Sequence, residues 1–307
     1  MGSADGHPAL VRSPLGQGRL LLPTSSRADA RAGLTLLNPN RPAATVAARL
    51  YDTWIAVVGP RAAGRPASGV PDILMAADGA LLAGVVDTIG PVTGWAVIDP
   101  RQPDRPRAAL LAVRDGVAVA FIKVNRNITE LDRERSVLDR LISGGVNLRT
   151  PRVIGHGSVD GVGWMATTAM PSPRTRPMTE LPAGWRTGQE FGSLEPLLGP
   201  RPSTDAVALH GDLTPWNLRR CAGEPWLLDW EDVGWGPPGA DEAYFNATAT
   251  AVCGSPLRPA SPEATDHWIQ VVRSRSGSGP EERLRLQLLD VLVRMGAPGA
   301  PPPSDRG

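Results

Sequence analysis

Three polar residues in the second half of the chain are spaced for work on a phosphate. In "HGDLTPWNL" (210–218), His210, Gly211 and Asp212 are followed by Asn217, and a little further on "PWLLD" ends on Asp229. Two carboxylates and one amide thus converge from a loop and from the end of the next strand. Oxygen donors of this kind suit Mg²⁺, which takes one or two carboxylates and leaves its other positions to water and phosphate. A carboxylate near such ligands can accept the proton of an attacking hydroxyl. This is the division of labour in phosphoryl transfer, where the protein supplies positioning and charge. Alone, an Asp-x4-Asn spacing is an ordinary turn, so its meaning depends on what else the chain carries.

A second pair lies far upstream. The chain has 32 basic side chains, and Lys123 in "VAVAFIKVNRN" is the only lysine among them. Lysine is normally one of the commonest residues. A GC-rich coding bias accounts for its scarcity, but not for the one position that kept it. An ammonium is a compact point charge for a phosphate, and the broad planar guanidinium is not its equivalent in a tight space. Glu134 follows on "TELDRERSVLDRLISGG" (129–145), whose apolar stripe is Leu131, Leu138, Leu141 and Ile142. Its spacing from Leu131 and Leu138 puts Glu134 on the inward face, where a carboxylate needs a partner.

These residues need elements to hold them. "GWAVID", "RAALLAVRD" and "VAVAFIKV", between about 94 and 124, are three short strands, the last two joined by the turn Asp115-Gly116. The helix after them has a capping pair in Thr129 and Asp132 and a stop at Gly144. Two more strands, "RVIGHGSV" and "GVGWMATTAM", join through Asp160-Gly161. "AVALH" and "PWLLD" are short strands around the 210–217 loop, and "DHWIQVVRSR" and "PEERLRLQLLDVLVRMG" are helices. Upstream, 42–58 is a helix after a first-turn proline, and 72–90 is a weaker one interrupted by Gly79. The stretches 59–72 and 171–185 are loops, and residues 1–18 together with the tail 297–307 are expected to be disordered.

"HGDLTPWNL" followed by "LLDWEDVGWGPPGADEA" resembles the signature of the aminoglycoside and choline phosphotransferase superfamily, which has a protein-kinase-like fold. The resemblance spans roughly 94–296 and is densest at 205–245. It implies an α+β, bilobal fold: a small antiparallel-sheet N-lobe with one key helix, then a mainly helical, shortened C-lobe. The corresponding domains are an N-terminal extension with helices (1–90), a small lobe (91–170), and a large lobe carrying the catalytic loop (171–296). It further implies that Asp212 is the catalytic base, that Asn217 and Asp229 hold Mg²⁺, and that His210 orients the loop. Asp241 would be structural, and Glu231 would reach a second metal through water. Lys123, positioned by Glu134, would hold the nucleotide, ATP or GTP, which would also meet the hinge at Ala169 and Met170. A lysine on the third strand that pairs with Glu134 and faces Asp229 is the geometric expectation.

Other readings are narrower. Net charge is +1, so nothing favours nucleic acid or a membrane as partner. No apolar run reaches the ~18 residues of a spanning helix, and no signal-peptide core is present, which points to a cytoplasmic protein. Cys221 and Cys253 have no metal-ligand spacing. The four histidines, His7, His156, His210 and His267, form no close ligand pair, which argues against a metallohydrolase. The absence of G-x-x-x-x-G-K-[ST] argues against a P-loop enzyme. No G-x-G-x-x-G lies between the first two strands; Arg101, Arg105 and Arg107 there could meet phosphates or form a solvated basic loop. Trp216, Trp230 and Trp235 fit a core role better than a substrate role. In 171–205, Glu180, Glu190, Glu195 and Asp205 stand against Arg174, Arg176, Arg186 and Arg201. A neutral or anionic small-molecule acceptor therefore suits that stretch at least as well as a polycation. Because 171–205 shows no long amphipathic helix, a second reading is a kinase-fold protein that binds nucleotide or a partner without turnover.

Overall fold

The computed structural model describes residues 9–15, 19–37, 39, 42–67, 71–98, 107–144, 148–171, 175–185, 191–275 and 280–297. Arg101, Arg105, Arg174, Arg186, Glu190 and the tail from 298 lie outside these residues. The chain divides into two compact units, residues 1–139 with 151–175 and residues 140–150 with 176–307.

The first unit is built on one antiparallel sheet. In chain order it contains β1 (Leu10–Arg12), β2 (Leu20–Pro23), α1 (Arg27–Gly33), α2 (Pro42–Val58), α3 (Pro60–Ala63), β3 (Arg65–Pro66), a 3₁₀ stretch (Asp72–Gly79) and α4 (Ala80–Ile89). Then come β4 (Gly94–Ile98), β5 (Arg107–Arg114), β6 (Val117–Asn125), α5 (Ile128–Ser143), β7 (Val153–Val159) and β8 (Val162–Thr168). The strand order is β3-β1-β2-β4-β5-β6-β8-β7. The five strands expected between 94 and 168 are present, with the helix between the third and fourth. Two expectations upstream are corrected. Residues 10–12 are a strand within the stretch expected to be disordered, and 60–66 form a short helix and a strand where a loop was expected. The 3.6-residue period simply cannot report a strand of two or three residues.

The hairpin turns are as the Asp-Gly pairs require. Asp115 and Gly116 have φ of 50° and 78°, and Asp160 and Gly161 have 48° and 73°, the left-handed pair of a two-residue hairpin turn. The run "AALLAV" in β5 is apolar without alternation because both faces are covered. Leu110 and Ala112 face a core that includes Leu81 and Val85 of α4. Leu111 and Val113 face a core that includes Ala30 of α1 and Tyr51 and Ile55 of α2. The segment preceding β4 therefore clothes the sheet on both sides as well as lengthening it. On β6 the same period buries Ala120, Ile122 and Val124 on one face, which places Lys123 on the other with Phe121.

α5 begins at Ile128, one residue before the expected cap, so Thr129 and Asp132 fall inside its first turns. Glu130 is the residue tied to the preceding turn, accepting from Asn125 Nδ2 at 2.8 Å and Asn127 Nδ2 at 2.7 Å.

Among its described residues the second unit has short strands and three α-helices: β9 (Thr175–Pro177), β10 (Val207–Leu209), β11 (Leu218–Cys221), β12 (Glu224–Leu227), β13 (Gly234–Gly236), α6 (Ala240–Cys253), α7 (Pro262–Ser274) and α8 (Pro280–Gly296). The described part of 171–205 contains one 3₁₀ turn, Gly192–Leu197, and no α-helix. The helices close a core of Tyr244, Ala247, Trp268, Val272, Leu288 and Leu292. Cys221 and Cys253 are not joined in a disulfide, and Cys221 is buried. Among the described residues, no helix is long and apolar enough to cross a membrane.

Candidate active site

In the first unit, Lys123 Nζ lies 2.7 Å from Glu134 Oε1 and 2.8 Å from Oε2. β6 and α5 are consecutive, and the two residues face each other because each sits on the inner side of its element. The Glu134 side chain is 5% exposed and that of Lys123 is 21% exposed. A carboxylate so buried is tolerable only with a charged or strongly donating neighbour. Ala169 and Met170 directly follow β8 and are half-buried, Ala169 against the α1–α2 core.

In the second unit, the polar set is assembled by a hairpin. β11 and β12 pair antiparallel from Leu218↔Leu227 to Cys221↔Glu224, through a turn at Ala222 and Gly223 with φ of 50° and 89°. One step beyond the open end, Leu228 N–H donates to the Asn217 carbonyl at 2.9 Å. Asn217 and Asp229 are thereby brought side by side from positions distant in sequence. Asp229 has φ of 63°, a left-handed conformation that a non-glycine residue adopts at some strain and that clusters at functional sites.

The loop before it is pinned from below. The Asp241 carboxylate, at the start of α6, accepts from His210 N–H at 2.6 Å and Gly211 N–H at 3.2 Å. Burial pushes the Asp241 carboxyl up to about 7 against the pull of those two donors. His210 is fully buried. Its Nδ1 accepts from Asp212 N–H at 3.2 Å, and its Nε2 lies 3.0 Å from the Leu228 carbonyl. A carbonyl can only accept, so the imidazole is the neutral tautomer with its proton on Nε2. One ring thus ties the loop to the strand end that carries Asp229. Gly211 has φ of +81°, and a Cβ there would overlap the Asp232 carbonyl oxygen; only glycine fits.

Asp212 is held at its side chain as well. Asn217 Nδ2 donates to Asp212 Oδ2 at 2.8 Å and to the Asp212 carbonyl at 3.0 Å. This orientation leaves the amide oxygen of Asn217 as its metal-binding atom. The Asp212 carboxyl is raised well above the usual carboxylate range, first by burial and then by the Asp229 and Asp232 carboxylates; Arg275 and Asn217 pull against this. Trp230 is buried, with its ring 4.6 Å from His210 and 5.1 Å from Phe191. Trp216 and Trp235 are only half-buried, and Trp235 lines a cavity beside the loop.

Among the described residues, no group of three or more His, Cys, Asp or Glu could hold a metal ion by itself. One amide oxygen and one carboxylate, at Asn217 and Asp229, are a donor set suited to a Mg²⁺ ion that shares its remaining positions with phosphate and water. Two residues of this region carry no signal in the sequence: Asp232 has no motif spacing of its own within "LLDWEDVGWGPPGADEA", and Arg275 directly follows an ordinary amphipathic helix.

The model of the phosphotransferase enzyme family matches residues 176–258. The match covers Asp212, Asn217, Asp229 and Asp241, so the pinned loop and the hairpin lie within the matched segment. No curated protein matches the chain. Among solved structures, the chain is similar to aminoglycoside phosphotransferase APH(3'')-Id from Streptomyces rimosus at 18% identity, covering 71% of this chain and 99% of that one with a TM-score of 0.42. It is similar to amicoumacin kinase hAmiN in complex with AMP-PNP, Ca²⁺ and Ami at 13% identity, covering 71% and 85%, with a TM-score of 0.41.

Proposed function

We propose that the protein is an ATP- or GTP-dependent phosphotransferase that moves a γ-phosphoryl group to a hydroxyl of a small molecule. The observation that carries this reading is the hairpin-built set of Asp212, Asn217 and Asp229 within the matched segment. Asp212 takes the proton of the acceptor hydroxyl. As that proton leaves, the hydroxyl oxygen bonds to the γ-phosphorus and the bond to the departing nucleoside diphosphate breaks. A raised carboxyl suits the task, since a base works best when its pKa approaches the working pH. The Asn217 amide holds the Asp212 carboxylate in one orientation, and its own oxygen, with Asp229, would hold Mg²⁺. Bound there, the ion would supply charge neutralisation for the transferring phosphoryl group. In the first unit, Lys123, fixed by Glu134, supplies a point charge to the nucleotide phosphates, and Ala169 and Met170 border its base.

The test is an Asp212→Asn variant, assayed for acceptor-dependent nucleoside diphosphate release and for nucleotide binding. Loss of a removed general base lowers turnover by about 10²–10⁴-fold, while nucleotide binding stays within a factor of about two. Equal turnover in wild type and variant would sink the assignment. Chelation by EDTA should silence the wild type, with Mg²⁺ restoring it, and Asp229→Asn should raise the Mg²⁺ concentration needed.

A further inference from the structure

The second unit contains a cavity of about 190 Å³ beside the Asp212 loop. Its apolar lining includes Leu209, Trp235, Trp268 and Val271, and His267 lines it too. Burial lowers the His267 imidazole, which keeps it neutral near pH 7. Two charged residues, Asp232 and Arg275, also line it, as does Gly211 of the Asp212 loop. Gly211 precedes Asp212 in the chain, so both charges share a cavity that opens beside the proposed base.

Neither charge is used up within the unit. Arg275 Nη1 donates to the Tyr244 hydroxyl at 3.2 Å. That is one of the five donors a guanidinium carries. Tyr244 is a firm support, its ring stacked on Trp268 with centroids 3.9 Å apart, and Trp268 Nε1 donates to the Ala240 carbonyl at 2.7 Å. Asp232 makes no hydrogen bond or ion pair among the described residues. The cavity thus presents one cation, one anion and an apolar floor.

Size and charge together select a ligand class. Pockets for drug-sized molecules run to about 300–1,000 Å³, and this one is smaller. A polycation would need several carboxylates in the lining, and here a single carboxylate is balanced by a guanidinium. We propose that this cavity is the acceptor pocket and that its substrate class is a small zwitterionic alcohol: a hydroxyl-bearing α-amino acid whose carboxylate meets Arg275 and whose ammonium meets Asp232. The proposal rests on the reading of Asp212 as the base. With both ends of the zwitterion held, the side-chain hydroxyl is the group left to reach Asp212, which takes its proton as the oxygen–phosphorus bond forms.

The experiment uses the full-length protein and three probes of increasing reach, L-serine, L-homoserine and L-tyrosine. Each is paired with its methyl ester, which is a cation, and its N-acetyl derivative, which is an anion. Binding is measured by calorimetry and transfer by diphosphate release. At least one zwitterion should bind about tenfold or more tighter than both of its derivatives. Arg275→Gln should erase the penalty for esterification while keeping that for acetylation, and Arg275→Lys should restore part of it. Asp232→Asn should do the converse. Asp212→Asn should keep the binding preference and lose transfer. Equal binding of ester and parent in the wild type overturns the pocket, as does tighter binding of kanamycin than of every zwitterion. A zwitterion preference without transfer by the wild type overturns the phosphotransferase reading and leaves the pocket standing. Transfer to acceptors of another class without that preference overturns the pocket alone.

Discussion

Lys123 can be changed in ways that separate its charge from its shape. In Lys123→Met, the Glu134 carboxylate keeps its 5% exposure and loses an ammonium that touches both of its oxygens at 2.7 and 2.8 Å. Removing one partner of a buried pair costs about 3–5 kcal/mol. The lysine is 21% exposed, so water screens part of the interaction and about 2–3 kcal/mol is the expected loss. That corresponds to a fall in Tm of roughly 4–12 °C for units of this size. Lys123→Met in a Glu134→Gln background should lose much less, giving a coupling of about 1.5–2 kcal/mol in the double-mutant cycle. Lys123→Arg is the decisive variant. A guanidinium can face both carboxylate oxygens as a fork, so stability should stay within about 1 kcal/mol of wild type. Phosphoryl transfer should nevertheless fall about 10²–10³-fold, the usual consequence of displacing one electrostatic contact to a developing charge. Urea denaturation and diphosphate release, run on the same preparations, read both quantities. Transfer by Lys123→Arg within twofold of wild type would refute the argument that this position demands a point charge.

Two further outcomes follow from the pinned loop. Gly211→Ala places a Cβ on the Asp232 carbonyl at a φ of +81°; stability should drop by about 3 kcal/mol or more with transfer lost, both visible by denaturation and turnover. Asp241, raised to about 7, binds its proton more tightly in the folded state than in the unfolded chain. Its contribution to stability is therefore full below the ordinary carboxylate value near ~4 and is lost as pH rises toward 7. Between pH 5 and 8 the wild type should lose more stability than Asp241→Asn; parallel denaturation curves for the two would contradict this.

The candidate residues stand out in the sequence because phosphoryl transfer would demand particular types: a carboxylate, an amide and a second carboxylate in fixed order, with His210 before them. Lys123 stood out through composition alone, and Glu134 through helical phase against Leu131 and Leu138. The Asp-Gly turns were legible because few residues accept two positive φ values in succession. What escaped was set by tertiary contact. The strand at 10–12 is too short for any period, and its strand character comes from pairing with Leu21, Leu22 and Pro23. Asp232 and Arg275 share a cavity only because α7 packs beside β13, a relation no local pattern encodes. The helix starts at Ile128, two residues before the start that a cap at Thr129 implies, and Asn125 and Asn127 engage Glu130 in place of that cap.

The strand β3 has one more consequence. It is two residues long, Arg65–Pro66, and among the described residues it pairs with β1 alone and ends the sheet on that side. A strand edge left bare offers a row of backbone groups to any passing chain, and natural proteins blunt such edges with very short strands, charge and proline. Pro66 has no N–H to offer, and Arg65 adds a charge beside it. The segment before β4 thus acts as a guard against sheet-to-sheet aggregation. A fragment beginning at β4 would expose "GWAVI" as a bare apolar edge, and such a fragment should precipitate where the whole chain stays dispersed.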